Sequence, residues 1–378
     1  MKILFLNFWA SKPGGAEHSL VDIIRCISNS HQTLLITSEP GFLTDKAAIS
    51  GCKCCILPFK QDLAPFRRQQ LITSTLLHAD TLFAFLKYCF AVRQKVISEK
   101  PDIIHANVPK SHILLHFLII TGFKGKAVFH LREIFDKNSI VYLLYSILFR
   151  INKASVIAIS QAVLNSLPSS MKRRASVIYN GISVPILVPE TKRVARPPSF
   201  LYLGRVVPWK GCDLLIDAFN FLFLKYPTRS GHLSIVGGTY YWDISYRKSL
   251  RVKINHLNLE KFISFRDHTD NTTELFLQHS ILCVPSDNEP FGRVAAEAMA
   301  YGLPVIGFNS GGLAEVVKDK ETGLLAEERT AVSLSDVMGH FLQYPDDVEK
   351  MGTMARKRCM SLFDINKQGP AIIKAIVS

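Results

Sequence analysis

Two glutamates eight positions apart, Glu289 and Glu297, stand in the stretch DNEPFGRVAAEAMAYGLP, residues 287–304. Glu289 directly precedes Pro290, which biases it toward extended backbone and places it in a loop after the apolar run ILCVPS. The helix that follows is expected to start near Phe291 or Gly292, presenting its first free N–H groups and the positive end of its dipole to that loop. Gly292 lets an anion approach the backbone, and the combination suits a phosphate. Glu297 lies one to two turns further on, at ~3.6 residues per turn. Being anionic, it fits vicinal hydroxyls, as on a ribose, and Glu289 can accept from hydroxyls on the other side of the phosphates. A diphosphate with a hydroxylated sugar at each end satisfies all three groups, which describes a sugar nucleotide. The plain alternative is an N-capping acid and a solvated helix glutamate. Each is common alone; the pair around Pro-Phe-Gly is less so.

Two further constellations have the same character. In YLGRVVPWKG, Arg205 and Lys210 follow a strand and offer a diphosphate a fork and a point charge. The segment carries neither GxGxxG nor a P-loop signature. In ASKPGGAEHSL, Gly14 and Gly15 separate the first strand from the first helix, where backbone N–H groups can meet a ligand.

The elements that must position these residues alternate. KILFLNF, HQTLLITSE, PDIIHAN, KAVFHLRE, ASVIAIS and ASVIYNGI read as strands separated by helical stretches such as AEHSLVDIIRCIS and SIVYLLYSILFRI. Residues 185–198 hold four prolines and a cluster of basic residues, the composition of a linker. The alternation then restarts with SFLYLGRV, GHLSIVGG, KFISFRD, ILCVPS and PVIGFN. The pattern predicts an α/β protein of two Rossmann-like doubly wound domains facing across a cleft. The expected boundaries are 1–185, a linker at 186–198, 199–362, and a C-terminal helix at 363–378 packing back on the first domain.

The chain of 378 residues carries a net charge of +14. Residues 1–190 hold 22 basic and 11 acidic residues, whereas the remainder is nearly balanced with 23 and 20. The first half is therefore expected to face something anionic, the alternative being an ordinary solvated basic surface. No aromatic-plus-basic pattern supports nucleic acid as that partner. Cys52, Cys54 and Cys55 in GCKCCILPF lack a second CxxC or a His pair and read as small hydrophobes of a buried strand. The apolar run ILLHFLIITGF, residues 113–123, is shorter than the ~20 residues a spanning helix needs.

The set GGAE, LGRVVPWKG, VGG, EPFGRVAAEAMAYGLPVIGFNSGGLAEVV and TGLL (322–325) resembles the retaining nucleotide-sugar glycosyltransferases of family 4, with the GT-B architecture and an E-x7-E motif. The resemblance spans nearly the whole chain, strongest over 200–326 and looser over 40–100. It implies that the first domain binds the acceptor and the second the nucleotide sugar. Arg205 and Lys210 would hold the diphosphate and stabilise the leaving group, and Gly14 and Gly15 would approach the phosphate. Glu289 would bind donor-sugar hydroxyls, with Pro290, Phe291, Gly292, Arg293 and Val294 surrounding sugar and phosphates and Glu297 on the ribose. His130 in VFHLRE matches the family's active-site histidine; read without the family it is a buried strand-end histidine. Arg132 and Glu133 depart from the commoner aspartate pattern there and receive no role. No D-x-D occurs, so no metal or other cofactor is expected, and leaving-group charge would fall on Arg205, Lys210 and the helix N-terminus. The expected partners are a nucleotide sugar and a glycan or lipid-linked saccharide acceptor, in a cytoplasmic protein. Lys60, Arg67, Arg68, Lys87, Arg93 and Lys95 flank or punctuate LLHADTLFAFLKYCFAV. This stretch reads either as a rest for an anionic membrane face or as an internal helix with solvated charges. A sugar-nucleotide epimerase and an inert sugar-nucleotide-binding subunit are the rival functions.

Overall fold

The computed structural model describes residues 1–11, 14–59, 79–151, 153–188, 197–239 and 243–378. Lys60, Arg67 and Arg68, and most of the linker segment, lie outside them. The chain divides into two units, Met1–Ile178 with Gln368–Ser378, and Tyr179–Lys367.

The first unit holds seven parallel strands: β1 (Lys2–Leu6), β2 (Gln32–Thr37), β3 (Lys53–Ile56), β4 (Ile103–Ala106), β5 (Lys126–Leu131), β6 (Ser155–Ala158) and β7 (Ala175–Val177). Their order is β3-β2-β1-β4-β5-β6-β7. The connecting helices are α1 (Gly15–Ser28), α2 (Phe42–Ile49), α3 (Ala79–Glu99), α4 (Pro109–Ile120), α5 (Ile140–Ile151), α6 (Gln161–Ser166) and α7 (Ser169–Lys172). Central strands such as β4, IIHA, are buried along their whole length, as parallel strands covered on both faces must be. Helix α1 buries Leu20, Ile23, Ile24 and Ile27, the i, i+3, i+4, i+7 stripe of an amphipathic helix.

The second unit holds β8 (Ser199–Leu203), β9 (His232–Val236), β10 (Ile263–Arg266), β11 (Ile281–Val284), β12 (Val305–Phe308) and β13 (Gly323–Ala326), ordered β10-β9-β8-β11-β12-β13. Its helices are α8 (Cys212–Lys225), α9 (Ile244–His256), α10 (Thr272–Gln278), α11 (Arg293–Ala300), α12 (Leu313–Val316), α13 (Ala331–Gln343) and α14 (Asp347–Leu362), and α15 (Ile365–Val377) ends the chain. Most of α15 belongs to the first unit, where Ile372 and Ile376 join the core that α1 lines.

In each unit the winding direction reverses once, between β1 and β4 in the first and between β8 and β11 in the second. Loops leaving the C-terminal ends of two such strands diverge to opposite faces of the sheet and leave a crevice, where ligands of open α/β sheets bind.

The reading of CCILPF as a buried strand needs correction. β3 is the sheet's edge strand. Cys54 and Cys55 are half-buried and Ile56 is exposed, because only one neighbour covers them. All eight cysteines are free thiols. Among the described residues no helix is long and apolar enough to cross a membrane.

Candidate functional site

At the reversal in the second unit, the loop after β8 carries Arg205 and a one-turn helix at Pro208–Lys210, and the loop after β11 carries Glu289. The two loops are tied together where the Asp287 N–H donates to the Trp209 carbonyl at 3.0 Å. Lys210 Nζ lies 2.6 Å from Glu289 Oε2, with the two side chains only 15% and 12% exposed. The ammonium also sits 4.4 Å from the Trp209 ring centre, a cation–π contact. Burial pushes the Glu289 carboxyl up. The charge and hydrogen bond of Lys210, with smaller help from Ser286 and Arg205, overcome this and hold it below the usual carboxylate range. Arg205 is exposed, and the Tyr202 hydroxyl fixes its backbone by donating to the Arg205 carbonyl at 2.7 Å.

Gly292 caps α11 with φ +89°, a left-handed conformation costly for any residue with a Cβ. Helix α11 therefore starts at Arg293, one or two residues later than the sequence suggests. Pro290 and Phe291 are buried. The Phe291 ring packs against Tyr179 and Phe363, at 6.0 and 5.5 Å between centres, so that only its backbone is left to face a ligand. Val294 is half-buried. One turn further, Arg293 Nε meets Glu297 Oε1 at 2.7 Å, which orients the carboxylate along the helix.

A support that the sequence reading did not single out lies beneath this loop. Gly311 and Gly312, between β12 and α12, pack directly against it, and the Gly312 N–H donates to the Glu289 carbonyl at 2.7 Å. A Cβ on Gly312 would run into the Pro290 carbonyl and Phe291 Cα. The signal was the GG in NSGGLAEVV, a strand–turn–helix junction like the others.

In the first unit, Gly14 is the N-cap of α1 and Gly15 its first residue. His130, near the end of β5, is fully buried. Its Nδ1 lies 3.1 Å from His105 Nε2 and 3.5 Å from an Arg132 NH2. A guanidinium only donates, so His130 Nδ1 accepts, His105 donates to it, and the His130 proton resides on Nε2. That Nε2 has no hydrogen-bond partner among the described residues. Arg132 Nε in turn donates to Asn107 Oδ1 at 2.7 Å, and Asn107 Nδ2 donates to Asn7 Oδ1 at 3.0 Å and to the Ala16 carbonyl at 3.2 Å. The network thus joins the ends of β1, β4 and β5 to the start of α1. Behind it, His112 Nε2 lies 3.2 Å from the His130 carbonyl and its Nδ1 lies 2.9 Å from the Tyr145 hydroxyl. Burial, then the Arg132 charge, pushes His130 well below its ordinary pKa. Burial likewise lowers His105 and His112 to about 3 and His116 to about 4. This is a neutral imidazole cluster with an uncommitted N–H donor. Among the described residues no group of three or more His, Cys, Asp and Glu side chains is arranged to hold a metal ion.

The basic residues assigned to a surface behave unevenly. Lys87 is exposed, but Arg93 donates to the Thr121 carbonyl at 3.2 Å and Lys95 pairs with Glu99 at 2.7 Å. Arg93 thus ties α3 to the end of α4, and Lys95 is engaged in a pair within α3 itself.

Two doubly wound parallel domains, with cation–carboxylate chemistry at one sheet reversal and a buried histidine network at the other, are the GT-B class of architecture. A model described as "Glycosyltransferase Family 4" matches residues 13–184, and one described as "Glycosyl transferases group 1" matches residues 186–358. The chain belongs to these glycosyltransferases. It is 35% identical over 187 residues to an uncharacterised glycosyltransferase of Methanocaldococcus jannaschii, covering 49% of this chain and 48% of that one. It is 28% identical over 195 residues to a D-inositol 3-phosphate glycosyltransferase of Streptomyces scabiei, covering 48% and 44%. The matches span about half the length of these relatives. HepE of Anabaena, solved in complex with UDP and glucose, superposes with a TM-score of 0.83 over 100% of both chains at 23% identity.

Proposed function

We propose that the protein transfers a sugar from a nucleoside-diphosphate sugar to a hydroxyl of a glycan or lipid-linked saccharide, in cell-surface polysaccharide synthesis. The observation that carries this reading is the Lys210–Glu289 pair at the second unit's sheet reversal, beside the N-terminus of α11. A fixed cation and the positive end of the α11 dipole suit the diphosphate, while Glu289 and Glu297 accept from hydroxyls of sugar and ribose. The complex of the similarly folded HepE with UDP-glucose supports a donor of this chemical class.

In the proposed reaction the bond from the anomeric carbon to the departing phosphate breaks. The acceptor oxygen forms its bond on the same face, so configuration is retained. The acceptor proton passes to an oxygen of the leaving phosphate. Lys210 and Arg205 neutralise charge as it develops on the leaving group, without a metal. His130, neutral with its proton on Nε2, donates a hydrogen bond to the transferred sugar and leaves proton transfer to the phosphate. The basic first domain would approach acceptors at an anionic membrane face.

A panel of UDP-, GDP-, ADP- and CMP-sugars, read by thermal shift and by nucleotide release without acceptor, tests the donor reading. One sugar nucleotide should stabilise the protein and slowly release its diphosphate, undiminished by EDTA, and Lys210→Ala and Glu297→Ala should lose the shift. Variants that bind like wild type would sink the assignment. A covalent glycosyl-enzyme would sink the front-face mechanism.

A further inference from the structure

Helix α5, IVYLLYSILFRI, carries apolar residues on both its inward and its outward face. Tyr145 and Phe149 point inward, against His116 and Phe129. Ile140, Leu143, Leu144 and Ile147 point outward and are 43–57% exposed. Their spacing is that of a stripe normally turned to a core. Scattered exposed apolar residues need no explanation, but a contiguous stripe of four marks a contact surface.

At the C-terminal end of this stripe, Arg150, Arg173 and Arg174 surround a recess whose walls include Phe149 and Ser170. Helix α7 is held there by the Ser170 hydroxyl donating to the Ser146 carbonyl at 3.1 Å. Lys153 and Lys172 are exposed nearby in the chain. Residues 137–189 contain no Asp or Glu, so every charged side chain of this segment is basic. The Arg174 guanidinium donates to the Phe149 carbonyl at 3.5 Å, and guanidinium forks gathered at one recess fit phosphate oxygens.

An apolar stripe ending in a cation cluster matches an amphiphile with an acyl part and an anionic phosphate. A second copy of the chain would bring the same cations against these, and like charges at an interface oppose association. We infer that the α5 face rests on an anionic lipid bilayer, with Ile140, Leu143, Leu144 and Ile147 at the acyl boundary and Arg150, Arg173 and Arg174 on headgroup phosphates. The inference rests on the reading of a membrane-face acceptor, and it places the contact on α5 rather than on the stretch around Lys87, Arg93 and Lys95.

Co-sedimentation with vesicles of phosphatidylcholine plus phosphatidylglycerol, against phosphatidylcholine alone, tests it. The full chain should pellet with the anionic vesicles and be released by salt. Arg150→Glu and Arg173→Glu should each weaken binding by about fivefold or more. Leu143→Glu with Leu144→Glu should abolish pelleting while leaving the thermal midpoint, and nucleotide release in solution, at wild-type values. Equal pelleting of that double variant, equal pelleting on neutral vesicles, or a dimer in solution that the double variant dissociates would each overturn the proposal. Nucleotide release is read without vesicles, so its loss with vesicle binding intact counts against the donor site alone. Release without vesicle binding counts against the α5 surface alone.

Discussion

Lys210 and Glu289 hold one another at 2.6 Å with little solvent access, and the consequences of cutting that pair are unequal to its net worth. Two charges taken from water are costly, and their mutual attraction offsets this only while both are present. Lys210→Ala leaves a buried carboxylate alone and should destabilise the second unit by about 3–5 kcal/mol, read by urea unfolding. Lys210→Met combined with Glu289→Leu should recover most of that loss yet bind no sugar nucleotide. Recovery of both would make the pair purely structural. The Glu289 pKa lies below its unfolded value, so its contribution is complete above the unfolded carboxylate pKa and is lost as pH falls through the folded one. The histidines act over a higher pH range. His105 and His112 at about 3, and His116 at about 4, are neutral in the fold, whereas the unfolded chain takes up their protons below about 6.5. Stability therefore falls with pH from about 6.5 downward, by about 1.4 kcal/mol per pH unit for each such histidine. His116, packed between Phe129 and Phe149 with ring centres 4.6 and 5.2 Å away, makes a clean probe. His116→Phe should flatten the slope between pH 6 and 4 by one histidine's worth, and an unchanged slope would mean that His116 is already protonated in the fold.

At the scale of elements, the junction β12–Gly311–Gly312–α12 sets the height of the Glu289 loop. Gly312→Ala forces a Cβ onto the Pro290 carbonyl. It should cost about 1–3 kcal/mol as an overpacked contact and weaken sugar-nucleotide binding about tenfold by titration, leaving the sheet's circular dichroism intact. Unchanged affinity would show that the loop relaxes without consequence. The sequence made this element's existence legible, because a strand, a Gly turn and a helix have different periods and compositions. It did not reveal what the turn supports. The same limit hid the histidine network. His105 and His130 lie 25 residues apart and meet only because β4 pairs with β5 in the register His105 opposite Val128, two residues before His130 on the same face. Local pattern carries no such register. It also could not say that β3 would be an edge strand, or that Arg93 would spend its guanidinium on the end of α4. Glu289, Lys210, Gly292 and Glu297 were legible because their cues are local: a proline after a glutamate, a glycine at a helix start, cations after a strand.

At the scale of the whole molecule, charge and chain path are both unequally divided. The first 190 residues carry twice as many basic as acidic side chains, 22 against 11, and the chain ends in the unit where it began. Residues 368–378 belong to the first unit, with Ile372 and Ile376 buried among Leu20, Ile23, Ile24 and Ile27. The Lys126 ammonium donates to the Ala375 carbonyl at 3.0 Å, and Gly369 lies against Cys26 closely enough that a Cβ would sit 3.1 Å from its sulfur. Removing these residues uncovers one side of α1. Two isoleucines at about 1.5–3 kcal/mol each set an upper estimate of about 3–6 kcal/mol, since the unfolded chain already shelters part of that surface. The loss should fall on the unit distant in sequence. In hydrogen exchange, α1, β1 and β2 should lose protection, while α8, β9 and α13, whose core is separate, keep theirs. Sugar-nucleotide binding by the second unit should persist in the shortened chain. Lost protection in α8, with α1 unchanged, would instead mean that the terminal helix stabilises the unit it follows.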